Sequence, residues 1–558
     1  MAKLKITRRG ALLAGLGAPA VVSGMARRPA AASFLHGVAS GDPLTDRVVI
    51  WTRATPASDE AAAIPLRWVV AHDAGLRDVA ADGEASADAA NDFCAKVDVA
   101  SLEPGRAYYY GFLAGNVASP VGRTRTLPAG SVEQLRLAVF SCANYPFGRF
   151  HAYADMAARG DVDLAIHLGD YIYEYGGEDG WGFAESQLNG RAHEPPHEIV
   201  SLEDYRTRYR QYRSDGDLQA AHAAAPWIVT WDDHEIANNP WTDGAQNHNP
   251  NSGEGTWADR KAAALRAFFE WMPIREPETG RAREAIWRRF DWGGLASLVM
   301  LETRLTGRSR QLDYSSDLPR GPDGPDAAAF RAKLDDPDRR MIDPAQESWL
   351  LETAADAEAR GAWTIVGDQI LFARLSLPDL ARWYDAETLA RMGENGYVAA
   401  LMERGRLGLP GNLDFWDGYA AQRDRIADAL SAANAHAVLL AGDNHAFWVN
   451  EVRDRAGARA ACEFATTSVT SPGYETEFTG LTPSIGEVYA EGIAETRYMD
   501  GFSRGYLTLT ITPDEVVCDL IATSLPSEAE TRSSVLRRFV QRRRNAQGVL
   551  PALEEISV

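Results

Sequence analysis

Four short blocks hold most of the side chains that could do chemistry: Ser141-Cys142-Ala143-Asn144, Gly169-Asp170-Tyr171-Ile172-Tyr173, Asp232-Asp233-His234-Glu235 and Gly442-Asp443-Asn444-His445. Together they offer a thiol, two phenols, several carboxylates and two imidazoles. That is the inventory of a metal site, because soft thiolate, borderline imidazole and hard carboxylate between them can bind most first-row and alkaline-earth cations. No Walker-type phosphate loop and no G-x-S-x-G elbow occurs, so nucleotide-loop and serine-hydrolase chemistry lack support. Singly, each block has an ordinary explanation. GDxxY suits a loop, and DDHE suits an Asp N-cap followed by a solvated acidic turn. Their joint occurrence is the specific signal.

Each block follows an apolar run: "LAVF", "LAIHL", "WIVTW" and "VLLA". These runs alternate with amphipathic stretches such as "TWADRKAAALRAFFEWM" and "YAAQRDRIADALSAAN". Strand–helix alternation predicts an α/β fold, and in such sheets sites form beyond the carboxyl ends of the strands. A catalytic domain is expected over 131–524. Before it, over 33–130, short β-branched and aromatic runs separated by Gly, Pro and Asp predict a small β-sandwich of immunoglobulin or fibronectin type. Residues 307–340, rich in Asp, Pro, Gly and Arg, read as a long surface insertion. The tail over 525–558 contains "RSSVLRRFVQRRRNAQ" and is expected to be a basic helical segment, a candidate lid.

The first 32 residues stand outside this fold. A basic front with Arg8-Arg9, a short apolar stretch and an Ala-rich end predict a twin-arginine signal cleaved after Ala32. Such an address suits a protein that loads its metal before export, to the periplasm or the exterior. The rest of the 558-residue chain has no run that could span a bilayer. The formal net charge is −21 and becomes about −27 without the signal, which argues against nucleic-acid binding. The four cysteines are widely spaced with no CxxC, so a disulfide framework is excluded and a single bridge stays open.

Taken with "HGVASGDPLTDRVVIWTRATP", "SCANY", "HLGDYIYEYG", "WDDHE", "LETR", "FWDGYAAQRDR", "AGDNH" and "TSVTSPG", the chain resembles the PhoD family of alkaline phosphatases, within the calcineurin-like metallophosphatases and related to purple acid phosphatases. The resemblance implies a metallophosphatase ββ sandwich flanked by helices. It also implies Cys142, Tyr173 and His445 on a ferric iron, with Asp170 bridging to a second metal. Asp233 and Asp443 stand where other metallophosphatases use Asn and His. Oxygen-only donors favour Ca²⁺ over Zn²⁺, and the resemblance implies the same pairing of Fe³⁺ with one or two Ca²⁺ ions. Asp368, in "VGDQ", is a further candidate calcium ligand. His234 is expected to face the phosphate, Arg304 in "LETR" to grip its oxygens, and Asn144 to reach one of them. Glu302 replaces the family's usual Asp, which leaves no ligand role assigned to it.

The implied reaction is hydrolysis of phosphate mono- and diesters by in-line attack of a metal-bound hydroxide. Two alternatives stand beside it. One is a phospholipase D-like phosphodiesterase of the same family. The other is a non-catalytic exported binding module with a structural metal site.

Overall fold

The computed structural model describes residues 32–558 apart from 59, 60, 179 and 323. The expected signal peptide lies outside the described residues but for its last position, Ala32, which pairs with Pro56.

Two sheets stack face to face. The first has ten strands, and its centre is the parallel set Leu135–Phe140, Leu164–His167 and Trp227–Val229. The second has seven, with the parallel set Ala296–Met300, Trp363–Gly367, Ala437–Ala441 and Arg459–Ala465. Side chains alternate between faces, as strand geometry requires. Leu137, Val139, Ile166 and Ile228 point into the layer between the sheets and meet Leu298, Ile365, Val438 and Leu440 there. Each such aliphatic side chain contributes about 1.5–3 kcal/mol on burial. The intervening residues pack outward, Phe140 and Trp227 against helices on one flank, Val366 and Leu439 against helices on the other. The result is the expected helix–sheet–sheet–helix architecture, strands being apolar on both faces because both are covered.

Local signals set the helix ends. Ser201 and Asp204 form a reciprocal capping box at the start of Leu202–Arg213. Asp343 caps Pro344–Ala359, with Pro344 at the first helical position, and Gly160 ends His151–Arg159 in the left-handed region.

Two expectations change. The N-terminal β-sandwich is present but not free-standing. One of its sheets contains Ala63–Ala71, Val79–Asp88 and Ala107–Ala114; the other face is formed by Val38–Gly41, Val48–Arg53 and Cys94–Val99, which continue the ten-stranded sheet. The seam is Gly41 beside Trp227, where a Cβ would come within 2.6 Å of the Trp227 carbonyl oxygen and 2.3 Å of that of Pro273. Only a glycine allows the strands to join there.

The tail is strand, not helix. Ser533–Arg542 pairs antiparallel with Glu515–Thr523, and Glu554–Ile556 adds the sheet's edge. Its arginines meet acids on neighbouring strands: Arg538 pairs with Asp519, and Arg537 with Glu555 at 3.2 Å. Cross-strand charge pairing and Phe539 in the core therefore decide this segment, and it is part of the sheet rather than a lid.

The insertion over 307–340 carries its own small core of Leu318, Phe330 and Leu334 against Leu409 and Leu413. All four cysteines are free and buried. No helix among the described residues is long and apolar enough to cross a membrane.

Candidate metal centre

The carboxyl ends of both parallel strand sets open on one edge, and the four blocks meet there. Cys142, Asp170, Asp443 and His445 all have φ between +56° and +63°. Non-glycine residues rarely adopt this conformation, which costs on the order of 1 kcal/mol or more each and persists only where surroundings enforce it. Here a backbone lattice does so. Cys142 N donates to Gly169 O (3.3 Å), Ala143 N to Asp170 O (2.9 Å), and Thr470 N to Cys142 O (3.3 Å).

One donor atom each from Cys142, Asp170 and His445 lies within 4.8 Å of the others. Tyr173 joins them: its hydroxyl donates to Asp170 Oδ2 at 2.9 Å and lies 3.4 Å from His445 Nε2. His445 Nδ1 donates to Pro472 O at 2.9 Å, which leaves the Nε2 lone pair facing the cluster. Burial holds this imidazole neutral, with a pKa near 3. Burial, then the nearby Asp170, push the Cys142 thiol and the Tyr173 phenol well above their ordinary values.

Asp170 is shared with a second group, in which Asp232, Asp233 and Asp443 also place one oxygen each within 4.8 Å of the others. Four converging carboxylates repel. Burial, and then the other acids, drive Asp170 and Asp443 far above the carboxylate range. Arg304 is the cation that spans them. It is fully buried, pairs with Asp232 and Asp414, and reaches Asp443 Oδ1 at 3.1 Å.

The donor sets fit two cations. One side offers thiol, phenol, imidazole and carboxylate. The other offers carboxylate oxygens alone, converging acids opposed by Arg304 and His234 and kept up in pKa by burial and by one another. Asn144 adds a buried side-chain amide whose oxygen and nitrogen both have no hydrogen-bond partner, as a group waiting for a ligand would.

The sequence model of the PhoD-like phosphatase matches residues 137–520, and that of its N-terminal domain matches 18–128. The chain belongs to the PhoD-like phosphatase family. It is 34% identical over 524 residues to alkaline phosphatase D of Bacillus subtilis (strain 168), an alignment spanning 91% of this chain and 80% of that protein. It is also similar to a solved structure of PhoD, at 31% identity and a TM-score of 0.75, covering 96% of this chain and 94% of that one. Membership in this family makes the protein a hydrolase of phosphoric esters.

Within this PhoD-like centre, Cys142, Asp170, Tyr173, Asp233, Asp443 and His445 are brought together as the sequence predicts. Two other expectations are revised. Asp368 stands apart from the clustered donors. Trp416 Nε1 donates to its Oδ2 at 2.7 Å and Ile370 N to its Oδ1 at 3.4 Å, and burial lifts its pKa to about 8, so its oxygens are engaged in the core. Arg304 is not a free phosphate clamp, because its guanidinium is engaged by Asp232, Asp414 and Asp443. It neutralises and spaces the carboxylates instead. Glu302 is used by its own loop and by Trp231, accepting from Trp231 Nε1 and from the backbone N–H groups of Arg304, Leu305 and Thr306.

Several residues support the centre in roles that no sequence pattern assigns to them. Glu235 accepts from the backbone N–H groups of Asp170 (3.1 Å), Tyr171 and Asp232 (2.8 Å), which bolts two blocks together. Glu174 lies 2.6 Å from His234 Nδ1 and also accepts from Asn238 N. Burial opposes charge on His234, but Asp233, Glu174 and Asp170 together raise its pKa well above the ordinary value. Ser471 Oγ donates to the Tyr173 hydroxyl at 2.8 Å, and the Trp181 ring stacks on His445 with centroids 5.6 Å apart. Ser471 belongs to "TSVTSPG", so its block was visible although its partner was not. Asn444 is no ligand: its Oδ1 accepts from Trp448 Nε1 and Tyr474.

Proposed function

We propose that this PhoD-like phosphatase is an exported, two-metal phosphoesterase acting on phosphate mono- and diesters. Cys142, Tyr173, His445 and Asp170 would hold a ferric iron, and Asp170, Asp233 and Asp443 would hold calcium. The observation that carries this reading is Asp170, common to a thiol–imidazole donor set and to an all-carboxylate set. Thiolate and phenolate together favour iron, and hard oxygen donors favour calcium. Bound there, the metals would supply Lewis acidity and a nucleophile at neutral pH.

The chain's own residues do the rest. Glu174 fixes Nδ1 of His234, whose ring stacks on Tyr173 with centroids 4.3 Å apart, so Nε2 is the position that can give a proton to the departing alkoxide. Asn144 supplies an amide to a phosphoryl oxygen. Arg304 keeps Asp232 and Asp443 from repelling one another.

The periplasmic or extracellular location rests on Arg8-Arg9 and the apolar stretch after them. The twin-arginine export machinery is accordingly the expected partner.

The test is hydrolysis of p-nitrophenyl phosphate and bis(p-nitrophenyl) phosphate by the purified protein, before and after dialysis against chelator. Both activities should vanish on dialysis and return with iron and calcium together. Full activity in the metal-free protein would refute the reading.

A further inference from the structure

A cavity of about 460 Å³ lies against the carboxylate side of the centre. Residues 310–315 of the insertion form one wall, Asn239, Trp241, Ala245 and Gln246 another, and Arg404 with residues 412–414 a third. Two bonds tie it to the site. Asn239 N donates to Asp233 Oδ2 at 2.9 Å, and Asp414 pairs with Arg304, which reaches Asp443. The residues that wall the cavity thus abut those that hold Asp233 and Asp443, so the cavity neighbours the carboxylate side of the centre.

The cavity's two acids and two arginines are unequally partnered. Its two acids are occupied: Asp414 by Arg304 and Arg308, and Asp313 by the backbone N–H groups of Ser315 (2.7 Å) and Ser316 (3.2 Å). Of its two arginines, Arg310 has Asp317 at 3.4 Å on the exposed side. Arg404 has no acid within ion-pairing distance among the described residues. One of its N–H groups donates to Gly411 O at 2.8 Å, and its guanidinium lies over the Tyr314 ring at 4.4 Å. Tyr314 is itself anchored by its hydroxyl to Pro410 O at 2.7 Å. In a chain of net charge −21, a half-buried arginine without an acid partner, placed over an anchored ring and using one donor on Gly411 O, keeps further donors free.

We propose that this cavity is a subsite for a second negative charge on the organic part of the substrate, with Arg404 as the specificity-determining residue. The favoured substrates are then phosphate esters whose alcohol arm carries a further phosphate or carboxylate several bonds from the scissile ester. The proposal rests on the phosphoesterase reading above and adds the substrate class to it. The Tyr314 ring beneath it and the bond to Gly411 O hold the guanidinium in place, so an incoming anion meets donors already oriented.

The test compares kcat/KM for 1,6-hexanediol bisphosphate and 6-hydroxyhexyl phosphate, using the metal-loaded protein and release of inorganic phosphate. The wild type should favour the bisphosphate by at least about tenfold, the value of one charge-assisted contact and more than two equivalent ends explain. Arg404→Met should bring the ratio down to what two equivalent ends give, mainly by raising KM for the bisphosphate. Arg404→Lys, which keeps the charge without the fork, should retain part of the preference, and it carries the test if Arg404→Met does not fold. A wild-type ratio that the two ends alone explain, or a ratio unchanged in both variants, overturns the proposal. If the wild type hydrolyses neither compound nor p-nitrophenyl phosphate, the phosphoesterase reading itself has failed.

Discussion

Cys142 and Asp170 leave adjacent parallel strands in the same left-handed conformation, at φ +63° and +56°. The two turns are stitched by Cys142 N to Gly169 O and Ala143 N to Asp170 O. The strands bring the turns to one edge, and the turns aim a thiol and a carboxylate at one point. The strain of the turns belongs to the site, since a plain strand end requires neither.

Gly169 shows how tight this junction is. Its φ is +105°, and a Cβ there would lie 2.2 Å from Asp232 N and 2.3 Å from Asp232 Cβ. Gly169→Ala should push the Asp170 block away from the Asp232 block and destabilise the fold by about 2–3 kcal/mol or more. Urea unfolding and metal content measure the two effects. A variant with wild-type stability and full metal would show that the blocks need not touch.

Glu174 reaches the reaction through His234, while its other oxygen braces Asn238 and Asn247. Glu174→Gln removes the charge that holds Nδ1 and should lower kcat by about tenfold to a hundredfold, as losses of such supporting contacts commonly do. The effect should be larger on esters with poor leaving groups, which need the proton most. Unchanged kcat across leaving groups would remove His234 from proton delivery.

His36 makes a prediction about stability rather than chemistry. It is buried, its ring meets the edge of Trp271 at 5.3 Å, and burial, with Arg53 and Arg213 adding, pulls its pKa to about 3. The unfolded chain takes up this proton below about pH 6.5, while the folded chain does so only near pH 3. Stability due to this group is therefore complete above pH 6.5 and is lost as pH falls, by about 1.4 kcal/mol per unit. His36→Phe keeps a ring against Trp271 and removes the titration. Between pH 6.5 and 5.0 the wild type should lose about 2 kcal/mol relative to that variant in urea unfolding. Parallel curves would contradict the assignment.

The strands and the site edge were legible because apolar runs and reactive blocks are local patterns. Cys142, Asp170, Tyr173, Asp233, Asp443 and His445 sit just past such runs, and the structure brings them together. Asp368 has the same local signature and another fate, since Trp416, far along the chain, takes its oxygen. Arg304 reads as a clamp until Asp232, Asp414 and Asp443 are seen around it. The tail's arginines hide a strand whose partners, Asp519 and Glu555, lie on other strands. Glu174 and Glu235 were invisible as braces for the same reason: their roles are set by which backbone groups folding brings to them.

The central claim is that Asp170 joins an iron site to a calcium site. Metal analysis combined with a visible spectrum, on wild type and Tyr173→Phe, tests it most directly. The wild type should contain iron and calcium and show a phenolate-to-iron charge-transfer band. Tyr173→Phe should lose that band and keep its calcium. A colourless wild-type protein containing zinc in place of iron would contradict the account.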